Sequence, residues 1–221
     1  RYHEANLDQL VALIEELRPD AVLLQEVDRG VARSRRVDQF EVVRSASGMQ
    51  GAFARTVDYQ GGRFGIAVLT RHEIVATNRV RLPRLGGKEP RALQHLRIRL
   101  EGGAEIDLFN THVDPRPVSR DRQIDLILGH TARLARGPAI LAGDFNAAPG
   151  STPLAGIAAT WNDAAVRAGT PTPTYPTRDP AVRVDYVFYR GEGLELHSFT
   201  TLDARGISDH RPLLARFVVR P

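Results

Sequence analysis

Two hydrophobic rhythms run along the chain, one with the period of a helix and one with the period of a strand. Leu7, Leu10, Val11, Ile14 and Leu17 recur at three- and four-residue intervals, which lines up one face of a helix. Asn6 reads as its N-cap with Gln9 three residues later, and Pro19 stops it. Residues 21–24, AVLL, predict a short buried strand ending in Gln25-Glu26, and residues 64–70, FGIAVLT, predict another. Leu96, Ile98 and Leu100 alternate with Arg97 and Arg99, the mark of a half-buried strand. EGG at 101–103 then turns the chain into a partner strand at 105–111. A second amphipathic helix follows Ser119, with Ile124, Ile127, Leu128, Thr131 and Leu134 on one face. Beyond it lie a buried strand at 139–142, a short helix entered through Thr152-Pro153 and a Pro/Thr-rich loop at 170–177. Strands at 182–189, 194–201 and 213–219 complete the pattern.

No internal repeat or linker interrupts this series, and strands outnumber helices. The pattern predicts one domain over residues 1–221, an α/β fold with mixed sheet and helices outside. Hydrophobic residues make up 42% and charged residues 25%, enough apolar material for a sizeable core. No apolar run approaches the roughly 20 residues of a membrane span, so no transmembrane segment is expected. The absence of cysteine excludes a disulfide framework and a thiolate zinc site, but it assigns no compartment. A net charge of +4 mildly favours an anionic partner, although the excess is almost all arginine, Lys88 being the single lysine.

The chemistry gathers where strands end. Glu26 closes VLLQEVD, His112 closes LFNTHVD, Asp144 and Asn146 close LAGDFN, Asp185 opens DYVFY, and Asp209-His210 sit in ISDHRP. Singly, each is an ordinary loop acid, turn residue or structural histidine. Together they are the inventory for cleaving a phosphate ester with an oxygen-ligated divalent cation. Glu26 and Asp209 supply hard oxygen donors for Mg²⁺ or Mn²⁺. Asp144 is the candidate to orient an attacking water, and Asn146, His112 and His210 can donate to phosphoryl oxygens. Strand alternation sends Asp144 and Asn146 to one side while Phe145 packs on the other. Adjacent residues are badly placed to bond each other, so His210 needs a carboxylate from elsewhere, and Asp185 is the best partner. His3, His72, His95, His130 and His197 lack comparable context and read as surface or packing residues.

These motifs resemble the endonuclease/exonuclease/phosphatase superfamily, which includes DNase I-like nucleases, neutral sphingomyelinases and inositol phosphate phosphatases. The matching pieces are PDAVLLQEVD, FGIAVLTR, NTHVD, RDRQ, GDFN, VDYVF and SDHRP, in family order from about residue 20 to 212. The resemblance implies a four-layer α/β sandwich, two mixed sheets face to face with helices outside and the active site at one end. It implies metal binding by Glu26, with Asp209 beside the metal. It also implies water positioning by Asp144 and phosphate contacts from Asn146 and His112. His210, supported by Asp185, acts in the transition state. Two departures stand out. The family normally begins with a strand ending in a metal-holding asparagine, and the chain shows no such strand before its first helix. FGIAV places Ile66 where many relatives carry a polar residue.

The expectation is a Mg²⁺- or Mn²⁺-dependent phosphoric ester hydrolase acting as a monomer on a phosphodiester, nucleic acid or phospholipid head group. A phosphomonoesterase and a non-catalytic relative that binds a phosphorylated partner are the alternatives. Arg33, Arg35 and Arg36 read either as a phosphate-gripping rim or as a solvated basic loop. Arg91 reads either as a contact to an anionic substrate or as one half of a surface ion pair.

Overall fold

The computed structural model describes residues 4–86, 89–203 and 206–220. The elements in chain order are α1 (Glu4–Leu17), β1 (Ala21–Arg29), α2 (Gln39–Ser47), β2 (Gln50–Tyr59), β3 (Gly62–Thr70) and β4 (Glu73–Leu82). β5 (Arg91–Arg99), β6 (Glu105–His112), α3 (Pro117–Leu134), β7 (Ala139–Asp144) and α4 (Thr152–Ala158) follow. The chain ends through β8 (Asn162–Asp163), α5 (Ala164–Arg167), β9 (Asp185–Arg190), β10 (Leu194–Thr201) and β11 (Leu213–Val219).

Period-two burial on both faces explains the layering. In β9, Tyr186 and Phe188 pack outward with Ile124, Ile127, Leu154 and Ile157 of α3 and α4. Val187 and Tyr189 point the other way, into a core shared with Val68, Leu108 and Phe199 from the facing strands. α1 and α2 cover the opposite side, where Ile14, Phe40 and Val43 meet Val27, Ala67 and Leu69. The order is helix, sheet, sheet, helix. Each fully buried Leu, Ile or Phe in these clusters contributes about 1.5–3 kcal/mol of transfer free energy.

One layer is a six-stranded sheet, ordered β4-β5-β6-β7-β9-β8. It is mixed, because β6 and β7 run parallel while their other neighbours are antiparallel. The facing layer completes the helix–sheet–sheet–helix sandwich that the resemblance implied. It consists of an antiparallel triplet, β1-β3-β2, and a separate antiparallel pair, β10-β11. The reason is that β1 pairs only with β3 and β11 only with β10, and no described strand lies between those two open edges. A cleft of about 2010 Å³ occupies the space, walled by Leu10 and Ile14, Leu23, Leu214 and Phe217, and it runs to the strand ends that carry the polar residues.

Asn6 lies inside α1 and is not its cap, since the helix begins at Glu4. α2, β2 and β4 are elements that the hydrophobic pattern did not reveal. Among the described residues no helix is long and apolar enough to cross a membrane.

Candidate active site

Strand register places the central residues. In the parallel pair β6–β7, His112 lies opposite Asp144; in the antiparallel pair β7–β9, Asp144 lies opposite Asp185. His112, Asp144 and Asp185 therefore form one row across three neighbouring strands. The row depends on Gly143, whose φ is +143° and whose missing Cβ would sit 2.0 Å from the carbonyl oxygen of Thr111. Only glycine lets β7 approach β6 at that point.

The chain turns immediately after Asp144. Asn146 takes a left-handed φ of +48°, its backbone N–H donates to Asp144 Oδ1 at 2.8 Å, and its Nδ2 donates to Asp144 Oδ2 at 3.1 Å and to the Val113 carbonyl at 2.9 Å. This turn, rather than strand alternation, brings the acid and amide together, because β7 has already ended. Phe145 packs the other way as expected, fully buried with its ring edge-on to Tyr186 and Phe188. Burial pushes the Asp144 carboxyl up to about 7, and the Asp185 charge adds to the rise against the stabilising Asn146 N–H.

Glu26 reaches the row from the facing layer through a β-bulge. Between Leu24, opposite Ala67, and Val27, opposite Gly65, β1 carries one residue too many, and Glu26 adopts φ +55°. Its side chain is half exposed, and Oε1 lies 4.0 Å from His112 Nδ1. The bulge is anchored from below by Asn110. This fully buried residue donates from Nδ2 to the carbonyls of Leu24 and Ala67 at 3.0 Å each and accepts from Gln25 Nε2 at 2.7 Å.

His210 arrives on the loop before β11. Its Nδ1–H donates to Asp185 Oδ2 at 2.8 Å. Burial works against the imidazolium, but the hydrogen bond and charge of Asp185, helped by Asp144 and Asp209, raise His210 to about 9. The loop is latched to the Pro/Thr-rich segment: Thr177 donates through N–H to the Asp209 carbonyl at 2.7 Å, and the Arg211 N–H donates to the Thr174 carbonyl at 2.8 Å. Asp209 is exposed at the same rim. The Tyr175 ring stands 4.8 Å from that of His210 and is 40% exposed.

His112 is almost completely buried. Burial, then the charges of Arg91 and His210, push it well below the ordinary histidine value. Its Nε2 lies 3.4 Å from Asp144 Oδ2. Arg91 Nη1 meets the other ring nitrogen, Nδ1, at 2.7 Å. Arg91 is 8% exposed and also forms an ion pair with the partly exposed Glu89, Nη1 to Oε1 at 2.7 Å. The basic loop is also engaged: Arg33 makes a two-pronged contact with buried Asp28, and Arg36 donates to the carbonyls of Gly30 and Gln60.

The side chains fit a hard divalent cation. Glu26, Asp144, Asp185 and Asp209 all line one cleft and offer only carboxylate oxygens. Ligand-capable atoms of Asp144, Asp185 and His210 lie within 4.8 Å of one another. His210 is nonetheless a poor ligand, since its Nδ1 is occupied by Asp185 and the ring is cationic at neutral pH.

The sequence matches the Endonuclease/Exonuclease/phosphatase family over residues 4–210. The chain belongs to that family. In this family member the matched segment contains all seven predicted site residues, Glu26, His112, Asp144, Asn146, Asp185, Asp209 and His210. No curated protein matches its sequence. Among solved structures, the human Nocturnin catalytic domain with bound sulfate anion superposes with a TM-score of 0.80 at 25% identity, covering 99% of this chain and 87% of that one. A mannosyl-6-phosphatase from Bacteroides thetaiotaomicron VPI-5482 gives 0.82 at 19% identity, covering 97% and 91%. ANGEL2, a 2′,3′-cyclic phosphatase, gives 0.79 at 18% identity, covering 97% and 86%. The family architecture brings the strand-end residues to one rim. Asn110 and Arg91 support them from beneath, and Tyr175 stands beside His210. The arginine of EPRAL was singled out in the sequence, as a substrate contact or half of an ion pair, whereas nothing distinguished the amide of NTH or Tyr175 from packing residues.

Proposed function

We propose that this family member is a Mg²⁺- or Mn²⁺-dependent phosphoesterase that hydrolyses a phosphodiester by in-line attack of water, with inversion at phosphorus. The observation that carries the reading is the row His112–Asp144–Asp185 with His210 bonded to its end. It sets an acid ionising near 7 beside a histidine that stays protonated to about 9. Two titrating groups with their affinities for protons pushed apart are a general base and a general acid available at one pH.

In this mechanism Asp144 orients the water and accepts its proton. Asn146 holds Asp144 in place through both carboxylate oxygens and becomes a donor to a phosphoryl oxygen when the Asp144 bond exchanges. His112 donates from Nε2 to a phosphoryl oxygen. His210 donates from Nε2 to the departing oxygen while Asp185 keeps its ring oriented. Glu26 and Asp209 would hold a divalent cation, which would supply charge neutralisation for the phosphoryl group.

A diester is favoured over a monoester by charge. Six carboxylates line the cleft, Glu26, Asp144, Asp185 and Asp209 among them, and they outnumber its four guanidiniums, Arg18, Arg178, Arg211 and Arg216. A monoester dianion meets more repulsion there than a diester monoanion. The relatives named above include a phosphatase for a phosphorylated sugar and one for a cyclic phosphate, so the ester class is the first thing to measure.

Turnover of bis-p-nitrophenyl phosphate with Mg²⁺ or Mn²⁺, compared between wild type and His210→Ala, tests the reading. The expected loss is about 10²–10⁴-fold. Equal background rates in both proteins overturn it in favour of a phosphate-binding relative without catalysis, and faster turnover of p-nitrophenyl phosphate overturns the diester preference. Plasmid DNA and sphingomyelin assayed in parallel separate nuclease from phospholipid chemistry.

A further inference from the structure

We infer that Arg91 is a positioning residue that locks His112 in the Nε2–H tautomer, making it a one-way hydrogen-bond donor at the site. The inference starts from the direction of one hydrogen bond. A guanidinium has five N–H donors and no acceptor. The 2.7 Å contact between Arg91 Nη1 and His112 Nδ1 therefore has one possible polarity: Nδ1 accepts with its lone pair. A neutral imidazole carries a single N–H, so the proton resides on Nε2. That nitrogen is the one turned toward Asp144, 3.4 Å from Oδ2.

Glu26 Oε1 also faces Nδ1, but at 4.0 Å it is beyond hydrogen-bond reach. His112 is 6% exposed and Arg91 8%, so water does not exchange freely for either partner. Arg91 opens β5, where its backbone pairs with Leu82, and His112 closes β6 opposite Asp144, so both backbones are held in the same sheet. Glu89 Oε1 forms an ion pair with the same Arg91 nitrogen at 2.7 Å but takes no hydrogen bond from it. The Arg91 N–H is committed to the imidazole. Thr56, Phe64, Gly65 and Ile66 pack around Glu89, Arg91 and His112 in a recess too small for water. Ile66, the apolar wall expected from the sequence, offers His112 no side-chain hydrogen bond, so the Nδ1 side of the ring is set by Arg91.

On the proposed function, on which the catalytic part of the inference rests, the consequence is a division of labour between two histidines. His210 carries a proton that can be given away. His112 presents a fixed N–H to a phosphoryl oxygen and cannot take a proton from it, because its only free lone pair is covered by a guanidinium.

The test separates the tautomer from the activity. Long-range ¹H–¹⁵N correlation spectra of ¹⁵N-labelled wild-type protein assign the His112 ring nitrogens without any substrate. The expected result is a protonated, pyrrole-like Nε2 and an unprotonated, pyridine-like Nδ1; a protonated Nδ1 overturns the inference whatever the activity. Arg91→Met removes the donor and lets the Nδ1–H tautomer appear, with kcat for bis-p-nitrophenyl phosphate falling about 10²-fold and KM changing little. Arg91→Lys retains a donor and restores the Nε2–H signature with at least a tenfold recovery of kcat over Arg91→Met. An unchanged tautomer in Arg91→Met refutes the locking role. A changed tautomer with unchanged kcat refutes its catalytic consequence. Should Arg91→Met fail to fold, wild type and Arg91→Lys decide alone: a lysine variant with the wild-type tautomer supports the inference and one with protonated Nδ1 overturns it. Wild type inactive on every ester but showing the Nε2–H form removes the proposed function and leaves the tautomer assignment standing.

Discussion

His210 and Asp185 are joined by a 2.8 Å Nδ1–H···Oδ2 hydrogen bond although they stand 25 residues apart and belong to opposite layers of the sandwich. The bond aligns the ring and holds its proton, raising His210 to about 9 against the pull of burial. If the protonated ring is the active form, kcat/KM is sustained up to about pH 9 and falls above it, an alkaline limb. Asp185→Asn removes the charge and moves that limb to lower pH by about one to three pH units. The same bond carries a stability signature. A raised histidine pKa stabilises the fold fully below the unfolded value of 6.5, and the contribution is lost as pH rises through about 9. Matching pH–rate limbs in wild type and Asp185→Asn would show that the pair does not govern His210.

Asp144 sets the other limb. Its carboxyl ionises near 7 in the cation-free protein, so the fraction able to accept a proton grows as pH climbs through that value. Together with His210 this gives a bell-shaped profile with its plateau between about 7 and 9. Asp144→Asn lowers kcat by about 10²–10⁴-fold with an unchanged circular dichroism spectrum. Carboxyl ¹³C titration of the cation-free protein locates the Asp144 midpoint directly. A midpoint near 4 removes the basis for the acid limb.

Much of this site was legible because its residues sit where apolar runs stop. Strands that end in LFNTH or LAGD or open in DYVFY announce both their direction and their cargo, and the helices α1 and α3 follow from spacing alone, whereas β1 runs on past Glu26 to Arg29. β4 was not legible because it lies at a sheet edge, where EIVATNRVRL buries only one end and mixes charged residues through its length. α2 is nine residues long and too short for a clear period. The bulge at Glu26 and the left-handed turn at Asn146 depend on cross-strand register and local hydrogen bonds, and no single-chain pattern encodes either. The open edges of β1 and β11 are likewise a matter of pairing, which periodicity does not report.

Asn110 tests how the two layers are coupled beneath the site. Replacing it with leucine leaves the carbonyls of Leu24 and Ala67 and the amide of Gln25 without their partner. Each unsatisfied buried group costs about 1–3 kcal/mol, so urea denaturation of Asn110→Leu reports a loss of at least about 2 kcal/mol. The bulge bearing Glu26 loses its anchor too, and activity falls in conditions where the variant remains folded. A variant as stable as wild type would mean that water replaces the amide.

Gly143 tests the row itself. Alanine there places a Cβ 2.0 Å from the Thr111 carbonyl oxygen at a φ of +143°, so β6 and β7 must separate. Backbone strain and overpacking together cost about 2–4 kcal/mol. His112 and Asp144 move apart with the strands, and kcat drops beyond what the loss of folded protein accounts for. Denaturation midpoints and active-fraction-corrected rates on Gly143→Ala provide the check.

Glu26 holds a left-handed backbone conformation at the bulge. A non-glycine residue at φ +55° costs about 1–2 kcal/mol relative to glycine, and the half-exposed side chain returns little packing. Glu26→Gly is therefore expected to raise the thermal midpoint by about 2–4 °C while weakening Mn²⁺ binding at least tenfold by calorimetry. Glu26→Gln keeps the shape of the side chain and loses the charge, so it weakens Mn²⁺ to a similar extent with an unchanged midpoint. The two variants separate backbone strain from cation binding. If Glu26→Gly melts earlier than wild type, the glutamate contributes to folding through its contacts at the bulge; if Glu26→Gln binds Mn²⁺ as tightly as wild type, the cation is held without it.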